Sequence, residues 1–137
     1  MIHYGNTPEE VSIAREWLEA RISEKVPDHA KFVGSGNGSI IHAVCAFSSY
    51  TGDDVELSFA YDRKLRGRGL LYAIFSYVFE QLQCARCTAK IREDNTDSIK
   101  LVSKVGFVEE GRMRKAKSGK DILVFGLLKE DFYGKFT

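Results

Sequence analysis

Residues 55–71 of the chain read Val-Glu-Leu-Ser-Phe-Ala-Tyr-Asp-Arg-Lys-Leu-Arg-Gly-Arg-Gly-Leu-Leu, and this stretch decides the fold. Apolar residues alternate strictly from Val55 to Tyr61, which predicts a β-strand. A glycine-rich segment with two arginines follows at residues 66–69. The run from Leu70 to Leu82 is apolar nearly all round, as expected of a buried helix. A strand that leads through a glycine-rich turn into a helix indicates an α/β domain.

The residues before this stretch predict a helix and then a meander of antiparallel strands. Thr7 to Glu10 combine an N-cap hydroxyl, a proline at the first helical position and a glutamate placed for a capping box. This helix is expected to end before Pro27. Strand-forming residues then run from Lys31 to Tyr61, with a first turn expected at Gly34–Gly38 and a strand from Ile40 to Tyr50.

The residues after it predict a short strand, a helix and a final hairpin. The strand runs through Ala89 and Ile91, and the helix starts with Asn95 as its N-cap. The hairpin turns at Ser118 and Gly119. Because no linker, repeat or low-complexity tract interrupts this order, residues 1–137 are expected to form a single domain.

The composition is that of an ordinary globular domain. The chain has 137 residues, of which 44% are hydrophobic and 28% charged, and its net charge is +1. These values exclude the disulfide-scaffold, collagen-like and disordered classes. The chain has three cysteines, and we find no secretion signal and no membrane span in it. This combination favours a reducing compartment, so we expect a cytoplasmic protein. The balance of 20 basic and 19 acidic residues argues against a protein that mainly coats nucleic acid.

The segment Arg66-Gly67-Arg68-Gly69-Leu70-Leu71 is a candidate anion site. A glycine-rich segment that opens a helix presents unpaired backbone N–H groups and the positive end of the helix dipole to phosphate oxygens. The segment does not match the dinucleotide-binding fingerprint, because no glycine stands at the third required position. It does not match the Walker A motif either, because no Gly-Lys-Ser/Thr is present. A tight turn with solvated arginines remains the alternative interpretation.

A second group of residues follows in a specific order. Asn95 precedes Ser98 by three residues and Gly106-Phe107 by eleven, and Glu110-Gly111-x-x-Arg114 and Gly119-x-Asp121 come after them. Together with the Arg-Gly-Arg-Gly segment, this order resembles the GCN5-related N-acetyltransferase (GNAT) superfamily, and it is similar to the ribosomal-protein N-acetyltransferase branch. The resemblance covers about residues 40–132. It implies an α/β (α+β) fold: a mixed, mostly antiparallel sheet with a central splayed pair of parallel strands and flanking helices.

The resemblance also implies acetyl-CoA as co-substrate, with no metal. The residues that it assigns to acetyl-CoA binding are Phe59, Ala60, Tyr61, Arg66, Gly67, Arg68, Gly69, Leu70, Leu71, Asn95, Ser98 and Lys104. Two positions depart from the family pattern. Leu71 stands where the family usually has glycine or alanine, and Val102 stands where many members have a tyrosine beside the coenzyme sulfur.

Acetyl transfer to an amine needs a base, because an amine of pKa near 10.4 is almost fully protonated at pH 7. Glu56 is the candidate base, since it points away from Val55 and Leu57 on the predicted strand; a solvent-facing strand glutamate is the alternative. Ser98 or a water is expected to protonate the leaving thiolate. Ser98 is otherwise explained as a small residue that lets the helix approach.

The sequence therefore predicts an N-acetyltransferase. The acetyl group of acetyl-CoA would pass to a primary amine of a protein N-terminus, a lysine or a small molecule, by direct attack in a ternary complex. The alternative is a non-catalytic module of the same fold that binds a protein or nucleic acid through its basic segments. We interpret Cys84-x-x-Cys87 as ordinary, partly buried thiols. The aromatic run from Tyr72 to Phe79 is interpreted as core, with one face left for a homodimer contact, and no membrane partner is expected.

Overall fold

The computed structural model describes residues 2–4, 7–22, 24–37, 40–62 and 68–136. The chain divides into two units, Met1–Ser49 with Leu57–Gly69, and Tyr50–Glu56 with Leu70–Thr137. In chain order the elements are β1 (Ile2–Tyr4), α1 (Pro8–Ile22), β2 (Lys31–Asn37), β3 (Ile40–Ser48), β4 (Glu56–Tyr61), α2 (Arg68–Ser76), a π-helical segment (Tyr77–Gln81), β5 (Arg86–Arg92), α3 (Thr96–Val105), β6 (Val108–Lys117), β7 (Lys120–Leu128) and α4 (Lys129–Phe136).

Helix α1 of the first unit begins with the predicted capping box. The Thr7 N–H donates to Glu10 Oε1 at 3.1 Å, and the Glu10 N–H donates to Thr7 Oγ1 at 3.2 Å. The apolar side of α1, with Ala14 and Leu18, packs in a buried cluster with Phe32 of β2 and neighbouring residues of β3. The strand order in this unit is β1-β2-β3-β4, and β2 is antiparallel to both β1 and β3.

The predicted turn at Gly34–Gly38 is wrong in its extent. β2 continues through this segment to Asn37, and the pairing with β3 shifts between Ser35 and Gly36. A Cβ atom on Gly36 would overlap the carbonyl oxygen of Ile40, so the glycine permits a close approach of two paired strands there rather than a turn.

The second unit has the strand order β4-β5-β7-β6. Glu56 is the residue of β4 that belongs to this unit. Glu56 lies opposite Thr88 in parallel register, and the Thr88 N–H donates to the Val55 carbonyl at 2.9 Å. β7 is antiparallel to β5 and to β6. The predicted mixed, mostly antiparallel sheet with one parallel pair is confirmed, whereas the splaying of that pair and the single-domain boundary stay predictions.

Aromatic rings form the core of the second unit. Phe132 of α4 is fully buried, and its ring centroid lies 5.2 Å from that of Phe75 and 5.6 Å from that of Phe79. Phe75 also contacts Phe107 at 5.8 Å. The predicted aromatic core is therefore confirmed for Phe75 and Phe79, while Tyr72 is exposed. The sequence analysis did not predict β1 or α4.

The predicted helix over Leu70–Leu82 is present with a change of winding. After Ser76 the chain forms the π-helical segment, and the Leu82 N–H donates to the carbonyl of Tyr77, five residues back, at 2.9 Å. Within the described part of the chain, no helix has the length and apolar character needed to cross a membrane.

Candidate functional site

The proposed phosphate segment lies at the start of α2. Arg66 and Gly67 are outside the described residues, and Arg68 begins the helix. Gly69 and Leu70 follow in its first turn, whose backbone N–H groups have no acceptor within a helix. The start of a helix offers such N–H donors and the positive end of the helix dipole to an anion. Leu71, at the position where a small residue was expected, is half-buried.

Three predicted cofactor residues belong to the part of β4 that lies in the first unit. Phe59 and Tyr61 lie on one face of the strand, with their rings stacked at 5.7 Å between centroids. Ala60, on the other face, packs against the α1 cluster. The strand is held at its end by the Asp62 N–H, which donates to the His42 carbonyl at 2.7 Å. This part of β4 is therefore held by packing on the Ala60 face and by the backbone hydrogen bond of Asp62.

Helix α3 explains the spacing of the second motif. The Asn95 side chain caps the helix by accepting the Ser98 N–H at 3.2 Å, so these two predicted site residues lie together. Gly106 ends the helix in the left-handed conformation, with φ of 115°, and its N–H donates to carbonyls of the last turn. Phe107 then enters the core. The ten residues between Asn95 and Gly106 are thus one helix, and these two residues are its caps.

The other α3 positions differ in exposure. Ser98 and Val102 are both half-buried and lie one helical turn apart. Lys104 is exposed in the last turn, where a cation interacts favourably with the helix dipole. This location gives Lys104 a structural explanation beside its predicted contact with the cofactor.

Glu56, the candidate base, is paired with a lysine. Its Oε1 lies 3.0 Å from Nζ of Lys90 on β5, and the exposed fractions of the two side chains are 25% and 45%. Val55 and Leu57 are buried on the opposite side of β4, as the alternation predicts. An ion pair with this exposure contributes about 0.2–1 kcal/mol, so it opens at little cost.

A second polar network lies at the start of β5 in the same unit. Thr88 donates from Oγ1 to the Asp54 carboxylate, with O–O distances of 2.9 and 2.8 Å. Arg86 lies 3.6 Å from Asp54 and forms two hydrogen bonds with Glu110 of β6. The Glu110 carboxylate raises the pKa of the Arg86 guanidinium above its ordinary value.

The sequence analysis missed this charged face of β5. Arg86, Thr88, Lys90 and Arg92 stand at alternate positions, which is the period of side chains on one face of a strand. Arg92 also has an acidic partner, with Nε 2.6 Å from Asp94 Oδ1. The alternation was visible in the sequence, but the acidic partners depend on which strands become neighbours.

Asp121 of β7 neutralises part of the positive charge of the basic segment in the β6–β7 hairpin. Arg112 Nη1 lies 2.7 Å from Asp121 Oδ2, and the Lys115 N–H donates to Asp121 Oδ1 at 2.9 Å. These interactions, the Arg112 hydrogen bond first, lower the pKa of Asp121. Asp121 in turn donates its N–H to the carboxylate of Glu93. The Gly-x-Asp motif is thus a structural element of the β6–β7 hairpin.

Cys84 and Cys87 are not joined by a disulfide, and both are more completely buried than the sequence interpretation had them. Burial, followed by the charges of Asp54 and Asp53, raises the pKa of Cys84 and makes its thiolate less accessible. Among the described residues, no group of three or more His, Cys, Asp or Glu side chains could hold a metal ion.

Comparison with known proteins identifies relatives of the chain. The family model described as "Acetyltransferase (GNAT) domain" matches residues 1–108. An uncharacterized N-acetyltransferase, p20, from Bacillus licheniformis is 30% identical over 100 residues, which are 66% of this chain and 56% of that protein. The chain therefore spans little more than half the length of this curated relative.

Solved acetyltransferase structures have the same fold. The spermidine/spermine N-acetyltransferase SpeG from Vibrio cholerae superposes with a TM-score of 0.73 at 12% identity, over 99% of this chain and 96% of that chain. A putative phosphinothricin N-acetyltransferase gives a TM-score of 0.69 at 17% identity, over 93% and 97% of the two chains. At these identities the likeness concerns the fold alone.

Proposed function

The chain belongs to the GNAT acetyltransferase family, and from this premise we propose that it acetylates a primary amine by direct attack of that amine on acetyl-CoA in a ternary complex. Family membership supports acetyl transfer to an amine with acetyl-CoA as co-substrate. The observation that carries the finer proposal is Glu56, a half-exposed carboxylate on β4 held by a weak ion pair. The ribosomal-protein branch remains a proposal based on the motif order alone.

Acetyl-CoA supplies an activated acyl group and a thiolate leaving group whose pKa is near 8.5 by analogy with cysteine. Its phosphates would be held by the Arg66–Gly69 segment, where the first turn of α2 offers N–H donors. Phe59, Ala60 and Tyr61 would offer backbone groups to the pantetheine arm, and Asn95 would face the same arm. Leu70, Leu71, Ser98 and Lys104 complete the proposed binding set.

Glu56 would take the proton that the acceptor nitrogen loses. For a lysine-like amine at pH 7 the free-base form costs about 4.6 kcal/mol, so a base near the nitrogen is needed. Because Glu56 is paired with Lys90, the pair must open before the carboxylate can receive this proton. The lysine side chain is long and half-exposed, so it can move into solvent.

Ser98 would donate a proton to the leaving thiolate, directly or through a water. Its hydroxyl is in the first turn of α3, and the Asn95 cap fixes the backbone there. Val102 brings no donor to the next turn of this helix. Since a thiol of pKa near 8.5 leaves fairly well unaided, the proton donor at this position has only a modest task.

The test of the proposal is Glu56→Gln, with Glu16→Gln on the exposed side of α1 as the matched control. We expect Glu56→Gln to slow acetyl transfer by roughly 10²- to 10⁴-fold at pH 7 and to leave the affinity for acetyl-CoA unchanged. The loss should shrink at high pH, where the amine deprotonates without help. Calorimetry gives the affinity, and mass spectrometry of a mixture of protein and small-molecule amines gives the transfer rate.

Full activity of Glu56→Gln at pH 7 would remove Glu56 from the mechanism. The non-catalytic alternative is tested separately by thermal unfolding. A ligand that binds only the folded state raises the melting temperature, so acetyl-CoA should raise it and an RNA oligonucleotide should not.

A further inference from the structure

The pair formed by Glu56 and Lys90 places two opposite charges 3.0 Å apart on a partly exposed strand face. We propose that this pair selects zwitterionic acceptors, in which a carboxylate stands next to the reacting amine as in an α-amino acid, over polyamines. The inference rests on the proposed function, because it uses Glu56 as the group that receives the acceptor amine. Lys90 is then a specificity-determining residue.

Binding of an acceptor exchanges the partners of the Glu56–Lys90 ion pair. An acceptor amine reaches the protein as an ammonium ion, since its pKa lies well above 7. When this ammonium takes its place at Glu56, Lys90 loses its carboxylate partner. An acceptor with its own carboxylate replaces that partner, so one ion pair becomes two and no charge is left unmatched.

A polyamine has the opposite effect. It brings a second and a third cation to the location where Lys90 already carries one, and it offers no anion to Lys90. Ammonium groups of a polyamine beside Glu56 repel the ammonium of Lys90. Solvent at this partly exposed position screens the repulsion only in part. The acceptor would therefore have to expel Lys90 from the face without compensation.

The neighbouring cations of β5 do not take over the role of Lys90. Arg86 is held by Asp54 and donates two hydrogen bonds to Glu110, and Arg92 is held by Asp94. Lys90 differs from both arginines. Among the described residues its short-range partner is one carboxylate, that of Glu56, and this carboxylate is partly exposed. An incoming zwitterion can thus exchange partners with Glu56 and Lys90 while the adjacent ion pairs stay intact.

The experiment compares acceptors that differ only in the carboxylate. The purified 137-residue chain is incubated with acetyl-CoA and with the common α-amino acids, their α-carboxamides, or spermidine. Rates are expressed as kcat/KM per ammonium form of the acceptor, because this is the form that binds and removal of the carboxylate also changes the pKa of the amine. We expect amino acids to be preferred over their carboxamides and over spermidine by up to about fivefold, the range of one partly exposed ion pair.

Lys90→Met should abolish this preference by raising KM for the amino acid with little change in kcat. Lys90→Arg should retain the preference, since it keeps the cation. Lys31→Met, which removes an exposed strand lysine in the first unit, is the control and should leave the ratio unchanged. A merely structural role for Lys90 would lower the rates for all acceptors equally and leave the ratio as in the wild type.

Three results would overturn the inference: a wild-type preference for spermidine, an unchanged ratio in Lys90→Met, or no acetylation of any acceptor. Calorimetry with acetyl-CoA separates these failures from failure of the proposed function. If another amine is acetylated, the proposed function stands and only the zwitterion preference is wrong. If nothing is acetylated and acetyl-CoA does not bind, both are wrong.

Discussion

Arg86 and Glu110 form a two-point ion pair that passes over Gly126 of the strand between them, with Nη2–Oε1 and Nη1–Oε2 distances of 2.7 and 3.3 Å. A Cβ atom on Gly126 would overlap both side chains. The glycine therefore leaves the room that lets β5 and β6 interact directly across β7.

We predict that Gly126→Ala displaces this pair and lowers the free energy of unfolding by up to about 1 kcal/mol, the worth of a half-exposed ion pair. Because the displaced atoms are the ends of flexible side chains, the fold should be retained. Gly111→Ala is the control, since a Cβ there meets nothing within 4 Å. In a double-mutant cycle measured by urea unfolding, Glu110→Gln should cost less in the Gly126→Ala background than alone. Simple additivity would contradict the steric explanation.

We predict that the free energy of unfolding depends on pH through Asp121 of the β6–β7 hairpin. Its pKa is lowered in the folded protein, by the Arg112 hydrogen bond first and the Lys115 N–H second. A group with a lowered folded pKa stabilises the protein above its unfolded pKa, near 3.9, and loses this effect as the pH falls through the folded pKa.

The difference in unfolding free energy between wild type and Asp121→Asn should therefore be constant near neutral pH and shrink below about pH 4. Asp28→Asn, in the exposed loop after α1, is the control and should show a smaller difference at every pH. Urea unfolding at a series of pH values measures both. A difference that grows on acidification would show that the sign of the linkage is wrong.

For the phosphate segment we predict that Gly67→Pro abolishes binding of acetyl-CoA while the domain stays folded. Proline removes a backbone N–H donor and fixes φ, and both changes oppose a loop that wraps an anion. Calorimetry measures the affinity, and circular dichroism verifies the fold. Unchanged affinity would refute the assignment of residues 66–69 to the phosphates.

For α3 we predict that Ser98→Ala lowers turnover by at most about tenfold, because the thiolate already leaves tolerably well. Val102→Tyr adds a phenol one helical turn further on and should raise turnover if the helix lines the reaction centre. A thousandfold loss in Ser98→Ala, with fold and acetyl-CoA binding intact, would make Ser98 the essential acid. If neither substitution alters turnover, and bulky replacements leave acetyl-CoA binding untouched, α3 does not line the site.

Local signals in the sequence were sufficient for the helices that have caps. Thr7 and Glu10 mark the start of α1, and Asn95 and Gly106 mark the two ends of α3, since each cap is a contact within a few residues. By contrast, α4 follows β7 directly, with no capping residue between Leu128 and Lys129. Burial of Phe132 in the aromatic core stabilises it, and that is a tertiary contact.

The candidate site was predicted only in its local parts. Alternation in β4 placed Glu56 opposite the buried face. Its pairing with Lys90, a residue more than thirty positions further along the chain, depends on β5 being the parallel neighbour of β4. The extent of β2 was mispredicted for a related reason. Glycines that usually mark a turn here permit close strand pairing, and only the register shows which role applies.

The π-helical turn at Tyr77–Gln81 has a consequence for relatives of different length. Such a turn accommodates one residue more than an α-helical turn over the same rise, so the surplus residue is absorbed locally. A homologue that lacks one residue here could continue as a regular α-helix and still deliver the chain to β5 in register. Alignments should accordingly place single-residue gaps at this turn, and the lengths of α3 and of the β5–β7 pairing should be kept.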